Sequence, residues 1–145
     1  LFCFCKFAKT KQQQLMNTEE IISKIQVALK KVSDESGIGK DKIRVRLSLK
    51  KDFLGNSLIV TLMNEKESVK EIKLGDLLSL NAMELMLVGG FLKNTLSKKA
   101  SEIQGATAQT IEAIICTRTS DYYPSVYLFN SGKYVREITV SELVS

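Results

Sequence analysis

The chain has 145 residues, of which 44% are hydrophobic and 26% are charged, and its formal net charge is +5. This length and composition are typical of one globular domain with a substantial core. The three cysteines argue against a disulfide framework and favour a reducing, cytoplasmic location. No apolar run approaches the roughly 20 residues of a membrane-spanning helix. Because the sequence contains no histidine, it lacks the commonest general base and metal ligand.

Residues 1–15, with the sequence LFCFCKFAKTKQQQL, stand before the first methionine, Met16. Their apolar start is too short for the core of a signal peptide and its flanks. Cys3 and Cys5 have no second cysteine pair that would complete four zinc ligands. Because a well-formed helix start follows Met16 directly, we expect residues 1–15 to be a disordered leader or a non-native extension. The single domain is then expected to cover residues 16–145.

The first half of the domain predicts one helix followed by three strands. Asn17 stands where an N-cap is needed, Glu20 follows on the next turn, and apolar residues recur at helical spacing until Gly37. Beyond Gly37, runs of alternating apolar and polar residues indicate strands. The predicted elements are a helix over 17–36 and strands over 42–50, 57–64 and 68–74.

The second half predicts the same order of elements. Asn81 and Glu84 repeat the N-cap spacing at the start of a more apolar helix. Gly89 and Gly90 stand inside this helix, where each costs about 1 kcal/mol relative to Ala. We interpret them as a site of close packing, and a helix kink is the alternative. The predicted elements are a helix over 81–104 and strands over 109–119, 124–130 and 133–140.

A repeat supports this correspondence between the halves. The segment VTLMNEKESVKEIKLGDLLS begins at Val60, and the similar segment VYLFNSGKYVREITVSELVS begins at Val126 and closes the chain. Aligned without gaps, the two segments share residues at eight positions, whereas chance predicts about one identity in twenty. We interpret this as internal duplication, with repeats over 16–80 and 81–145. The alternative is that two unrelated hairpins converged on the same strand-forming residues.

The predicted fold class is α+β, with two tandem helix-β-β-β repeats and six mostly antiparallel strands. Both helices carry apolar stripes, so we expect them to pack on one face of a single sheet; two facing sheets are the alternative. This tandem order resembles, in architecture, DNA sliding clamps and the saddle of the TATA-binding protein. Both are duplicated α/β modules that contact DNA; the resemblance concerns the architecture alone.

Strand alternation predicts an outer sheet face that differs between the two repeats. In 42–50 the polar residues all point to one side, and in the next strands that side carries Thr61 and Met63 in one repeat, Tyr127 and Phe129 in the other. In the alignment that sets Val60 on Val126, segment 42–50 falls on 108–116, which has no basic row. The fold therefore does not require these charges, and the candidate binding residues are Lys42, Arg44, Arg46, Lys50, Tyr127 and Phe129.

Each of these residues also has a purely structural interpretation. Lysine and arginine on a strand protect a sheet edge from aggregation or pair with acids on neighbouring strands. An aromatic pair such as Tyr127 and Phe129 fills a second apolar layer or a dimer interface.

The sequence predicts binding and not catalysis. Cys116 has no histidine to form a nucleophilic pair, and no glycine-rich phosphate loop is present. We therefore expect no cofactor, no metal and no small-molecule ligand, although an enzyme that uses only Asp, Glu, Lys or Tyr remains a third hypothesis. The first hypothesis is a non-catalytic interaction or assembly module that binds a protein, or itself, through the outer face or the strand edges. The alternative is nucleic-acid binding by the basic strand face and its nearby aromatic residues.

Overall fold

A computed structural model describes residues 17–117 and 119–145 of the chain. The predicted extension over 1–15 lies outside these residues. The first half contains α1 (Thr18–Ser36), β1 (Ile43–Asp52), β2 (Gly55–Asn64), β3 (Glu67–Ile72) and the short helix α2 (Leu74–Leu77). The second half contains α3 (Ala82–Glu102), β4 (Ile111–Thr117), β5 (Pro124–Asn130), β6 (Lys133–Ile138) and the short helix α4 (Val140–Leu143).

The six strands form one antiparallel sheet in the order β3-β2-β1-β4-β5-β6. Strands from the two halves meet at the centre, where β1 pairs with β4, and each half contributes one edge strand. The apolar faces of α1 and α3 join the inward side chains of both halves in one core. The predicted α+β fold with two helices on one face of a single sheet is confirmed.

Local signals in the sequence place the ends of the two long helices. Asn17 accepts a hydrogen bond from the backbone N–H of Glu20 at 2.8 Å, and α1 ends at Gly37, whose φ of 76° is left-handed. Asn81 accepts from the Glu84 N–H at 2.8 Å, and the Glu84 carboxylate accepts from the Asn81 N–H at 3.0 Å. These bonds satisfy N–H groups that an α-helix leaves unpaired in its first turn.

The interiors of the two halves are built alike. Val60 is 3% exposed and lies between Leu47 and Ile72 in the ladders, while Val126 is fully buried at the corresponding place. Val126 lies between Ile115 and Ile138. Matching surroundings at the matching valines are what a duplicated fold requires.

Smaller features recur in both halves in the alignment that sets Val60 on Val126. Each half has a register shift between its second and third strands, between Leu62 and Met63 and between Leu128 and Phe129. The hairpin turns begin at Glu65 and Ser131, which have positive φ values of 55° and 51°. The short helices α2 and α4 also correspond in this alignment. They replace the predicted ends of the third strands, which stop at residues 72 and 138.

The first strands of the two halves correspond in a different alignment from the one predicted. The backbone N–H of Ile43 donates to Gly39 O at 3.1 Å, and that of Ile111 donates to Thr107 O at 3.2 Å. These matching turns set Ile43 on Ile111, so residues 42–49 correspond to 110–117 and not to 108–115. A shift by an even number of positions keeps each side chain on its face. The prediction that the second half lacks the basic row holds at residues 44 and 46, whose true counterparts are Glu112 and Ile114.

The two long helices share their core spacing but differ at Gly89. Buried residues fall at Ile21, Ile25, Ala28 and Leu29 in α1, and at Val88, Leu92, Thr95 and Leu96 in α3. This spacing places Gly89 where α1 has Ile22. A Cβ added to Gly89 or Gly90 would meet no atom within 4 Å. The interpretation of these glycines as a site of close packing is therefore wrong, because the space beside them is open.

Candidate functional site

The outer face of the sheet, which neither helix covers, holds a broad groove of about 870 Å³. Residues from β1, β2, β4, β5 and β6 line it, so it spans both halves of the fold. We call it the sheet-face groove. Its floor includes Met63 and Cys116, which are 5% and 4% exposed although they lie on the uncovered face.

Three aromatic rings form a cluster on the second-half side of this groove. The Tyr134 ring centroid lies 6.1 Å from that of Tyr127 and 5.9 Å from that of Phe129, with tilted and edge-to-face geometries. Such separations are favourable for aromatic pairs. Tyr127 and Phe129 are half-buried, and Tyr134 is 58% exposed. The cluster therefore presents ring surface to the groove while its own contacts fix the positions of the rings.

Sequence alternation alone misses Tyr134. Counting back from the buried Ile138 in steps of two would place residue 134 on the inner, helix-covered face. The register shift between Leu128 and Phe129 pairs Tyr134 with Phe129, on the outer face. A bulge adds a residue on one strand and reverses the alternation beyond it. The first half has the same shift between Leu62 and Met63, and neither shift could be predicted from the sequence, because each depends on the pairing with the neighbouring strand.

The charges in the groove are balanced and not uniformly basic. Three basic and three acidic residues line it: Arg44, Arg46, Lys66, Glu65, Glu112 and Glu137. Arg46 Nε lies 3.4 Å from Glu112 Oε2 on the neighbouring strand β4. This contact is an ion pair without hydrogen-bond geometry, because the buried Nε has no hydrogen-bond partner among the described residues. The positive charge of Arg46 is therefore largely compensated inside the fold.

Arg44 lies near one end of the groove and uses its guanidinium locally. Its Nη1 donates to the carbonyl of Asp41 at 2.8 Å and to that of Ile43 at 3.0 Å. Carbonyl oxygens are neutral, so these bonds hold the side chain without cancelling its charge. Within the described residues, Arg44 forms no ion pair, and it is the lining arginine whose charge is available to a ligand.

Four of the six predicted site residues meet in the sheet-face groove. Arg44, Arg46, Tyr127 and Phe129 line it together. Lys42 lies in the turn before β1, and Lys50 lies near the far end of β1 opposite Ser57. Both lysines are exposed and neither lines the groove. Glu112 was missed because only the pairing of β1 with β4 brings it beside Arg46.

Comparison with protein-family models, curated proteins and solved structures found no match to this chain. In the residues that the structure describes, no group of three or more cysteine and carboxylate side chains is placed to hold a metal ion. Over the same residues, no helix combines the length and the apolar character needed to cross a bilayer.

Proposed function

We propose that the protein is a non-catalytic interaction module that binds a protein segment, from another chain or a second copy, in the sheet-face groove. The observation that carries this proposal is the three-ring cluster on an uncovered sheet face. Aromatic residues are enriched in the cores of protein interfaces, where they provide a large contact area. The balanced lining charges support a protein partner further, because a polypeptide offers both signs of charge along one segment.

Two observations argue against a purely structural role for the aromatic rings. A second apolar layer would bury its aromatic residues against covering side chains, yet Tyr134 is more than half exposed. The first half also forms the same strand pair with Thr61 and Met63 at the positions of Tyr127 and Phe129. Aromatic rings are therefore not needed to build this part of the sheet, which supports their use in binding.

A peptide-display selection on the full chain tests the proposal. Selected peptides should bind at least about tenfold more weakly to a variant with Tyr127→Thr and Phe129→Met, measured by fluorescence anisotropy. Val69→Ala, which truncates an exposed apolar side chain away from the groove, is the matched control and should not change the affinity. For a second copy as the ligand, sedimentation velocity should show a self-association that the same double variant loses. Equal binding by wild type and double variant would refute the proposal, as would failure to find any peptide or self-association.

Nucleic-acid binding is the second candidate, supported by the presence of Arg44, Tyr127 and Phe129 in the lining of one groove. Basic side chains neutralise phosphates, and aromatic rings stack on unpaired bases. Glu112 and Glu137 oppose a polyanion in the same groove, so we rank this candidate below a protein ligand. A labelled single-stranded oligonucleotide at low salt should bind wild type and not Arg44→Glu, with an affinity that falls steeply as salt rises. The absence of binding at low salt would remove this candidate.

A further inference from the structure

A second groove lies on the helical side of the fold, between α3 and the edge formed by β2 and β3. We call it the α3 groove. Its volume is about 820 Å³, and its lining is mainly apolar, with Leu58, Ile72, Leu85 and Met86 among the lining residues. Met86 is 78% exposed and Met83, one turn earlier on α3, is 60% exposed. This apolar surface lies apart from the sheet-face groove, on the other side of the sheet.

Gly89 and Gly90 keep the α3 groove open. Both line it, and both lie inside a helix, where glycine costs stability relative to alanine. Neither has a positive φ, and neither has an atom within 4 Å of an added Cβ. Within the described residues, neither the backbone conformation nor a neighbouring atom therefore requires glycine at these two positions. In α1, the counterpart of Gly89 is Ile22, which packs against the core.

The charged residues of the α3 groove indicate the chemistry of its occupant. Lys73 and Lys93 line it, and exposed Lys70 lies beside it on the same face of β3 as Ile72. Across the part of the chain that the structure describes, none of these lysines forms an ion pair. Glu71 is the one acidic residue among the described residues that line the groove, so Lys73 and Lys93 leave its lining with a net positive charge. An apolar groove with uncompensated lysines at its border is complementary to an apolar segment that carries carboxylates.

We propose that the α3 groove is a docking site for an acidic amphipathic helix of a partner protein. The two glycines let a second helix approach the α3 backbone closely, and Met86 and Leu85 provide adaptable apolar contacts at one end. The partner's apolar face enters the groove in the helix-in-groove mode, and its acidic residues meet Lys73 and Lys93. This site is independent of the function proposed for the sheet-face groove.

The probe for this proposal is a displayed library of amphipathic helices with apolar residues fixed at helical spacing and all other positions randomised. Selection on the full chain should enrich peptides rich in Asp and Glu. Their affinity for the Gly89→Ile variant should be at least about tenfold lower than for wild type, because this variant places in the groove the isoleucine that α1 has at the corresponding position. It should fall similarly on a second variant with Lys73→Glu and Lys93→Glu, which keeps the test valid if Gly89→Ile does not fold. The variant with Tyr127→Thr and Phe129→Met is the matched control and should bind these peptides like wild type.

Several results would overturn the proposal. Selection of no helix, of neutral or basic helices, or of helices that ignore both variants would exclude an acidic helical ligand in this groove. Self-association that Gly89→Ile abolishes would identify a second copy as the occupant instead. In a monomeric chain, amine cross-links from Lys6, Lys9 or Lys11 to Lys93 would identify the N-terminal segment as the occupant.

Discussion

The two halves of this protein agree inside and differ outside. Leu62 and Leu128 are buried at matching places in the core, as are Val60 and Val126. On the outer face, Thr61 and Met63 in the first half correspond to Tyr127 and Phe129 in the second. On the helical side, Ile22 of α1, which is half-buried at the border of the core, corresponds to half-buried Gly89 of α3. Both halves build the same core with different residues at these positions. We therefore infer that the differences are not needed for folding, and these positions are the best places to look for function.

The largest expected effect tests whether the two interiors are energetically equivalent. Leu62→Ala and Leu128→Ala should each lower the free energy of unfolding by about 2–5 kcal/mol, because each leaves a cavity in the shared core. Urea denaturation at one temperature compares the two variants. A loss below about 1 kcal/mol for only one of them would contradict equivalent roles for the matching leucines.

Replacing both helical glycines sharpens the comparison between α3 and α1. Gly89→Ala plus Gly90→Ala should raise the free energy of unfolding by about 1–2 kcal/mol, because alanine is the better helix former and the added methyl groups meet open space. Gly105→Ala is the control with the opposite sign, since the φ of Gly105 is 80° and disfavours a side chain. If the double variant is destabilised in thermal or urea unfolding, the glycines support the fold itself and not an open groove.

The N-caps of the two long helices differ in their hydrogen bonds. Asn81→Ala should cost about 1 kcal/mol of unfolding free energy, because it removes one bond of the reciprocal pair with Glu84. Asn17→Ala should cost no more, since Asn17 accepts the single bond from Glu20. Urea unfolding of both variants checks the order, and a clearly larger loss for Asn17→Ala would contradict it.

The smallest expected effect concerns the carboxylate of Glu142, which forms ion pairs that its first-half counterpart does not form among the described residues. Lys99 Nζ lies 3.1 Å from Glu142 Oε2 and Arg136 lies nearby, so the pKa of the Glu142 carboxyl is lowered in the folded chain. A lowered pKa stabilises the fold at neutral pH, and this contribution is lost as the pH falls through the folded value. As the pH falls from about 6 to about 3, the free energy of unfolding should therefore decrease less for the Glu142→Gln variant than for wild type.

The first-half counterpart of Glu142 is the control for this pH dependence. Asp76 forms no ion pair with any residue in 17–117 or 119–145. Asp76→Asn therefore removes no ion pair, and it is the matched control variant in the same measurement. A flattened curve for Asp76→Asn, with no change for Glu142→Gln, would show that the acid sensitivity arises in the first half.

Local chemistry explains why so much of this fold could be predicted from the sequence. The caps at Asn17 and Asn81 and the stop at Gly37 depend on residues within about one helical turn, and strand alternation depends only on period two. The doubled sequence then indicated which strands correspond. These signals were sufficient for all six strands and both long helices, with ends that differ by a few residues.

The parts that could not be predicted depend on partners distant in the chain. Tyr134 reaches the outer face only through a register shift against β5, and Arg46 meets Glu112 only because β1 pairs with β4. The open space beside Gly89 depends on how α3 packs across β2. In each case the missing information was a neighbour across the sheet or across the core, and no local propensity encodes such a neighbour.

The most direct test of the account erases three of the exterior differences at once. A chain with Tyr127→Thr, Phe129→Met and Gly89→Ile carries the first-half residue at each position. We predict that it unfolds in one cooperative urea transition, with a free energy within about 2 kcal/mol of wild type, while it loses the ligands of both grooves. A chain that no longer folds would contradict the account, because the exterior differences would then be part of what holds the structure together.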